Sequence, residues 1–180
     1  MGSPKHLLRL QGETLIERTV AFLTSLIDPP MVVGNGELPN TLTHLHRLKD
    51  IPLVKGPLGG LLAVMEGAGD RSVLAMACDT PLVNELALSW LLKTSASQPD
   101  AWAVIPRDET GRHQPLFALY RPAILPSMRR NAEHGILGLY HLAELEKVAT
   151  PDVPKTIADR LVNINTPGEL DRIKHTVEGS

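Results

Sequence analysis

Apolar positions along this chain follow two rhythms, a helical recurrence and short unbroken runs, and the changes between them fall at glycines and prolines. Ile16, Val20, Leu23 and Ile27 recur at helical spacing behind Thr14-Leu15-Ile16-Glu17. That tetrapeptide has the form of a capping box, and Pro29-Pro30 end the helix. Met31-Val32-Val33 predicts a short buried strand that stops at the sharp turn Gly34-Asn35-Gly36. Residues 41–48 partly alternate and predict another strand, with His44 and His46 on one face and Asp50 at its end. Leu58, Leu61, Leu62 and Met65 form an i, i+3, i+4, i+7 face behind Gly56-Pro57-Leu58-Gly59-Gly60. Pro57 suits the first turn of that helix, and Gly67-Ala68-Gly69 close it.

The chain is organised around the next run. Six apolar residues, Val73 to Cys78, are too few for a membrane span and suit a strand buried on both faces. The run stops at Asp79, and Pro81 bars its continuation. In open α/β sheets the carboxyl ends of the strands form the ligand crevice. A carboxylate half desolvated there needs a cation, and Mg²⁺ is favoured where phosphates supply its other oxygens. Equally, Asp79 caps the turn into a helix beginning near Val83. Both readings stand on this stretch alone.

Further along, residues 83–94 predict a helix and 101–105 a strand; 107–113 form a polar loop and 115–120 a strand returning from it. That hairpin makes the sheet mixed. Pro122 starts a helix running to about Glu133, and 137–145 predict a shorter one. Val148 marks an edge strand, and 160–164 a strand ending in Asn163-Ile164-Asn165. Thr166-Pro167-Gly168-Glu169 opens a last helix with Leu170 and Ile173 inward, while residues 1–12 begin without a strand. Strands alternating with helices give an α/β three-layer sandwich with a mostly parallel mixed sheet, one domain over residues 1–180.

Composition narrows the classes. With 43% hydrophobic, 21% charged and only 3% aromatic residues, the core is built of Leu, Val, Ile and Ala. A net charge of −2 and no basic run longer than Arg129-Arg130 argue against a nucleic-acid surface. The single cysteine, Cys78, excludes an intrachain disulfide and fits a reducing cytoplasm. It reads as a small buried hydrophobe rather than a nucleophile. No signal peptide or spanning segment is visible, so no membrane partner is expected. His44 and His46 supply two ligands, too few for a metal site on their own. The glycines at 56–60 either admit a ligand to the positive end of the helix or allow tight helix–sheet packing.

Taken together, these pieces resemble the nucleotidyltransferases of the molybdenum cofactor guanylyltransferase type. Met1-Gly2-Ser3-Pro4-Lys5 looks like the tail of that family's Gly-rich phosphate signature. Gly56-Pro57-Leu58-Gly59-Gly60, Cys78-Asp79-Thr80-Pro81-Leu82, Gln114-Pro115-Leu116-Phe117-Ala118-Leu119-Tyr120 and Asn163-Ile164-Asn165-Thr166-Pro167 look like its later motifs, in order. The resemblance implies a Rossmann-like nucleotidyltransferase fold and transfer of GMP from GTP to the phosphate of molybdopterin with release of pyrophosphate. By similarity Lys5 contacts the nucleotide phosphates, with Gly56 and Gly59 on the nucleotide-binding turn. Asn35 and Asp50 hold the guanine nucleotide, Asp79 binds Mg²⁺, and Asn163 and Asn165 line the acceptor side. Asn165 completes the metal shell. Lys5 and Asp79 are the implied catalytic residues. Transient contact with a molybdoenzyme or a cofactor-insertion protein also follows.

The sequence departs from this family at its front. The family begins with a central strand leading into Gly-Gly-x-Ser-x-Arg-Met-Gly, and here only Met1-Gly2 correspond. A late start, a non-catalytic homologue or a cradle supplied otherwise would each explain it. The first is preferred, because the glycines, Asp50, Asp79 and both asparagines occur together, and a longer form is expected to be the better catalyst. Two other readings stay open: a module that binds nucleotide or cofactor without turnover, and a related enzyme using CTP or another phosphorylated acceptor.

Overall fold

The computed structural model describes residues 4–26, 30–48, 54, 56–164, 168–171 and 173. A 3-10 turn at Lys5–Leu7 leads into a two-residue hairpin, β1 (Arg9–Leu10) against β2 (Glu13–Thr14). No strand is predicted this early. The hairpin exists because Gln11 and Gly12 both take positive φ, 53° and 88°, the geometry of a tight two-residue turn. Thr14 then caps α1 (Leu15–Thr24): its hydroxyl accepts from the Glu17 N–H at 3.3 Å, and the Glu17 carboxylate accepts from the Thr14 N–H at 2.8 Å. The predicted capping box is therefore present. Residues 27–29, which include Pro29, lie outside the described residues.

β3 (Val32–Val33) pairs in parallel with β4 (Arg47–Leu48). The strand predicted over 41–48 is reduced to those last two residues. A 3-10 turn at Asn40–Leu42 takes its start, so His44 and His46 share no strand face, and both are exposed. α2 (Pro57–Ala68) follows, with Gly56 as its N-cap. β5 (Val73–Met76) pairs antiparallel with β7 (Phe117–Tyr120), which pairs antiparallel with β6 (Ala103–Val104), which pairs in parallel with β8 (Val148–Ala149). The hairpin is thus confirmed, and β8 is an edge strand.

β5 was expected to be buried on both faces. Val73 is buried, but Leu74, Ala75 and Met76 are only partly so. The reason is a cavity of about 780 Å³ that runs along β5 and reaches Val32 and Val33 of β3. Among the described residues, β3 and β4 form one hydrogen-bonded sheet and β5 belongs to another.

α3 (Glu85–Ala96) covers one face of the four-stranded sheet, its Ala87 and Leu91 against Val104 and Phe117. α2 and α4 (Leu125–Glu133) cover the other, joining Leu58, Met65 and Met128 to Ala118 and Tyr120. The result is a helix–sheet–helix α/β sandwich with mixed strand directions. The predicted strand at 160–164 is absent. Pro154 opens a short α5 (Lys155–Ala158), a 3-10 turn follows at Asp159–Leu161, and 162–164 run without a ladder partner. Residues 168–171 and 173 are helical with Leu170 and Ile173 buried, as predicted, while 165–167 lie outside the described residues.

Candidate active site

Asp79 follows the carboxyl end of β5, half-buried. Its carboxylate makes no hydrogen bond or ion pair among the described residues. The turn is held instead by Thr80, whose buried hydroxyl donates to the Ala77 carbonyl at 3.0 Å. Nor does Asp79 cap the next helix. α3 starts at Glu85, and Asn84 caps it by accepting from the Ala87 N–H at 3.2 Å. The structure therefore removes the capping explanation for Asp79 and, among the described residues, gives its carboxylate no structural partner.

Two cavities meet at this residue. The first is the 780 Å³ cavity along β5, lined by Lys5, His6, Pro57, Gly60 and Asp79 among others. The second has a volume of about 250 Å³ and is lined by Asp79, Thr80, Arg112, His113, Gln114 and Asn163 among others. Among the described residues, Asp79 is the one charged residue that lines both.

The N-terminal segment reaches the first cavity through His6. His6 Nε2 donates to the Glu37 carbonyl at 2.8 Å, and its ring packs on Gly36 so closely that a Cβ there would meet His6 Cε1 at 2.7 Å. Lys5 and Asn35 are thereby carried on adjoining segments. The Asn35 turn is stiffened by Arg47, whose guanidinium donates to the carbonyls of Gly34 and Gly36. Gly56 takes φ 80° as the N-cap of α2, which a side chain would resist. Gly59 has a packing reason of its own, because a Cβ there would stand 2.1 Å from the Val54 carbonyl oxygen. On this helix the cavity is lined by Pro57 and Gly60 rather than by Gly56 and Gly59.

Asn163 enters the second cavity because the Ile164 N–H donates to the Asp79 carbonyl at 2.7 Å. Asp50 and Asn165 lie outside the described residues. Lys5 and Asp79 thus line the larger cavity and Asp79 and Asn163 the smaller, while Asn35 stands on the turn after β3 and lines neither. Among the described residues no group of three His, Cys, Asp or Glu could hold a metal by itself. Cys78, beside Asp79, has its thiol pushed up to about 11 by burial and by the Asp79 charge, so it stays protonated and acts as a small apolar residue.

Sequence reasoning gave no role to Arg112 and His113, yet both line the 250 Å³ cavity. Their loop holds the one visible clue, an Asp-Glu-Thr-Gly turn that folds back on itself.

Comparison with known proteins bears on the family and the fold. Proteins of Bacillus cereus (strain AH820) and Bacillus thuringiensis (strain Al Hakam), each named probable molybdenum cofactor guanylyltransferase, are 29% identical over 176 residues, covering 93% of this chain and 86% of theirs. The crystal structure of molybdopterin-guanine dinucleotide biosynthesis protein A from Archaeoglobus fulgidus superposes with a TM-score of 0.81 at 23% identity, over 98% of this chain and 91% of that one. The 2-C-methyl-D-erythritol 4-phosphate cytidylyltransferase of Thermus thermophilus shares the fold at a TM-score of 0.69 and 18% identity, over 97% and 94% of the two chains. The model of the MobA-like NTP transferase domain matches residues 1–148, a span that holds both the Asp79 turn and β7, and the chain belongs to that family.

Proposed function

We propose that this chain is a guanylyltransferase that moves GMP from GTP to the phosphate of molybdopterin and releases pyrophosphate. The observation that carries the reading is the position of Asp79, a carboxylate with no partner among the described residues, where a lysine-bearing cavity meets one bearing an arginine. Two phosphorylated substrates brought together there would repel one another, and a site for their reaction needs groups that relieve the repulsion and fix the approach. The names of the two Bacillus relatives support the choice of substrates.

The residues fit a magnesium ion in one respect that matters. Magnesium is usually held by one or two carboxylates with phosphates completing the shell, and Asp79 offers one carboxylate with no competing partner among the described residues. Asp79 would hold it, with Asn165 as a second ligand; when bound, the ion supplies charge stabilisation for the phosphates. Lys5 would bind the nucleotide phosphates from the larger cavity. Asn35 and Asp50 would hold the guanine, with the α2 turn at Gly56–Gly60 closing over the nucleotide. Asn163 would face the acceptor. An acceptor phosphate oxygen attacks the α-phosphorus of GTP, the bond to the β-phosphate breaks, and pyrophosphate leaves with that electron pair. The acceptor is already a nucleophile at neutral pH, so no Ser-His-Asp system is required.

The test is a binding screen of GTP, CTP, ATP and UTP with Mg²⁺. The reading expects GTP to bind tightest, by about tenfold or more over CTP, since a carboxylate can pair with the guanine N1–H and 2-amino group. Preference for CTP would move the substrate to the cytidylyl class, and no binding of any nucleotide would sink the transferase reading.

A further inference from the structure

We propose that Arg112 binds the phosphate monoester of the acceptor, on a loop prebuilt by Asp108; this rests on the guanylyltransferase reading and gives its acceptor side a residue that the sequence resemblance does not assign. Arg112 is the one Lys or Arg among the described residues that line the 250 Å³ cavity. Its guanidinium is exposed and makes no hydrogen bond or ion pair among the described residues, while its backbone is held from both directions. The Arg112 N–H donates to Asp108 Oδ1 at 3.0 Å, and the Arg112 carbonyl accepts from the Asp108 N–H at 2.9 Å.

The rest of the loop is fastened to the same carboxylate. Asp108 Oδ1 also accepts from the Thr110 N–H at 2.9 Å and the Thr110 hydroxyl at 2.6 Å, and Oδ2 accepts from Gln114 Nε2 at 2.9 Å. Arg107, at the loop's base, pairs with Asp152 at 2.9 Å, and the Gln114 N–H donates to the Pro106 carbonyl at 2.8 Å. Partial burial works against ionisation of Asp108. The hydrogen bonds from Thr110, Arg112 and Gln114 outweigh it, and the carboxyl is held below its ordinary value. A loop so tied, with a cation at its rim that the fold does not use, is organised for a ligand. A guanidinium presents paired N–H donors that match two oxygens of a phosphate. Asp79 and Asn163 line the same cavity as Arg112, and Asp79 also lines the cavity that holds Lys5. A phosphate held by Arg112 would therefore approach the carboxylate from a different cavity than Lys5 does.

The experiment titrates the protein with inorganic phosphate in the presence of Mg²⁺, following the backbone amides of Arg112, His113 and Asn163 by NMR, and measures Mg²⁺–GTP affinity in parallel. Arg112→Ala should weaken phosphate binding by about tenfold and leave GTP affinity within about twofold, and Arg112→Lys should recover part of the loss. Asp108→Ala should weaken phosphate binding too, with Asp108→Asn in between, because the amide keeps one oxygen for the Thr110 and Arg112 N–H groups. Unchanged phosphate affinity in Arg112→Ala, or an equal loss of phosphate and GTP, would overturn the assignment. Failure of the parent protein to bind GTP would instead count against the guanylyltransferase reading, which the phosphate titration reads separately.

Discussion

The backbone N–H of Ile164 donates to the backbone carbonyl of Asp79 across 2.7 Å. Ile164 is fully buried, with Leu10, Leu15 and Leu170 in the same apolar cluster, so the bond is sheltered from water. It ties the segment after α5 to the turn after β5, and Asn163 borders the 250 Å³ cavity as a result. A late piece of the chain, packed on the first hairpin and first helix, thereby completes a site begun in its middle.

From that position, Asn163→Ala should act on one substrate. The KM for the phosphorylated acceptor should rise by roughly tenfold while the KM for GTP stays near its parent value, as expected for the loss of one hydrogen-bonding side chain. Steady-state kinetics with each substrate varied in turn decide it; equal rises in both constants would mean that Asn163 only supports the turn.

Asn84 and Asp79 separate stability from function on neighbouring turns. Asn84→Ala removes the cap of α3 and should cost about 1 kcal/mol, lowering Tm by roughly 2–4 °C. Asp79→Asn removes no hydrogen bond found among the described residues and should leave Tm within about 2 °C, since changes away from such bonds stay within about 0.5 kcal/mol. Thermal melts of the two variants measure the contrast directly.

Glu17 gives the fold an acid-sensitive end. Hydrogen bonds from the Thr14 hydroxyl and then from Thr41, reinforced by the Thr14 N–H, hold its carboxyl down at about 2 from an ordinary 4.5. A lowered value means stability that is complete above the ordinary value and lost as pH falls through the folded one. The Tm difference between the parent and Glu17→Gln should therefore be constant above about pH 5 and shrink towards pH 2. A difference that does not change over that range would show that ionised Glu17 contributes nothing.

Legibility in the sequence varied with the range of the forces involved. The Thr14 cap, the Gly56-Pro57 helix start and the stop at Asp79 were readable because each depends on residues within a turn of one another. The predicted strand at 160–164 failed because Pro154 and the residues after it form a helical turn that buries Ile157 and Leu161 against α3 and the sheet. The partial alternation over 41–48 likewise gave way to a 3-10 turn that buries Leu42 with Ile16 and Val32. In the site, Lys5, Asn35, Asp79 and Asn163 carried motif signals. Arg112 carried only the turn signal of its own loop, since its meaning comes from a cavity wall closed by strands and turns far away in sequence. The proximity of Gly59 to the Val54 carbonyl was equally invisible, because only the packed helix reveals what a methyl group would strike.

The most direct test is pyrophosphate release from GTP with Mg²⁺ and a molybdopterin acceptor, by the parent chain and by Asp79→Asn at matched folded concentration. With the carboxylate gone, turnover should fall by roughly a hundredfold or more, about 3 kcal/mol of transition-state stabilisation, while the melting curve is retained. Equal turnover by the two proteins would contradict the assignment of Asp79 as the residue on which the reaction depends.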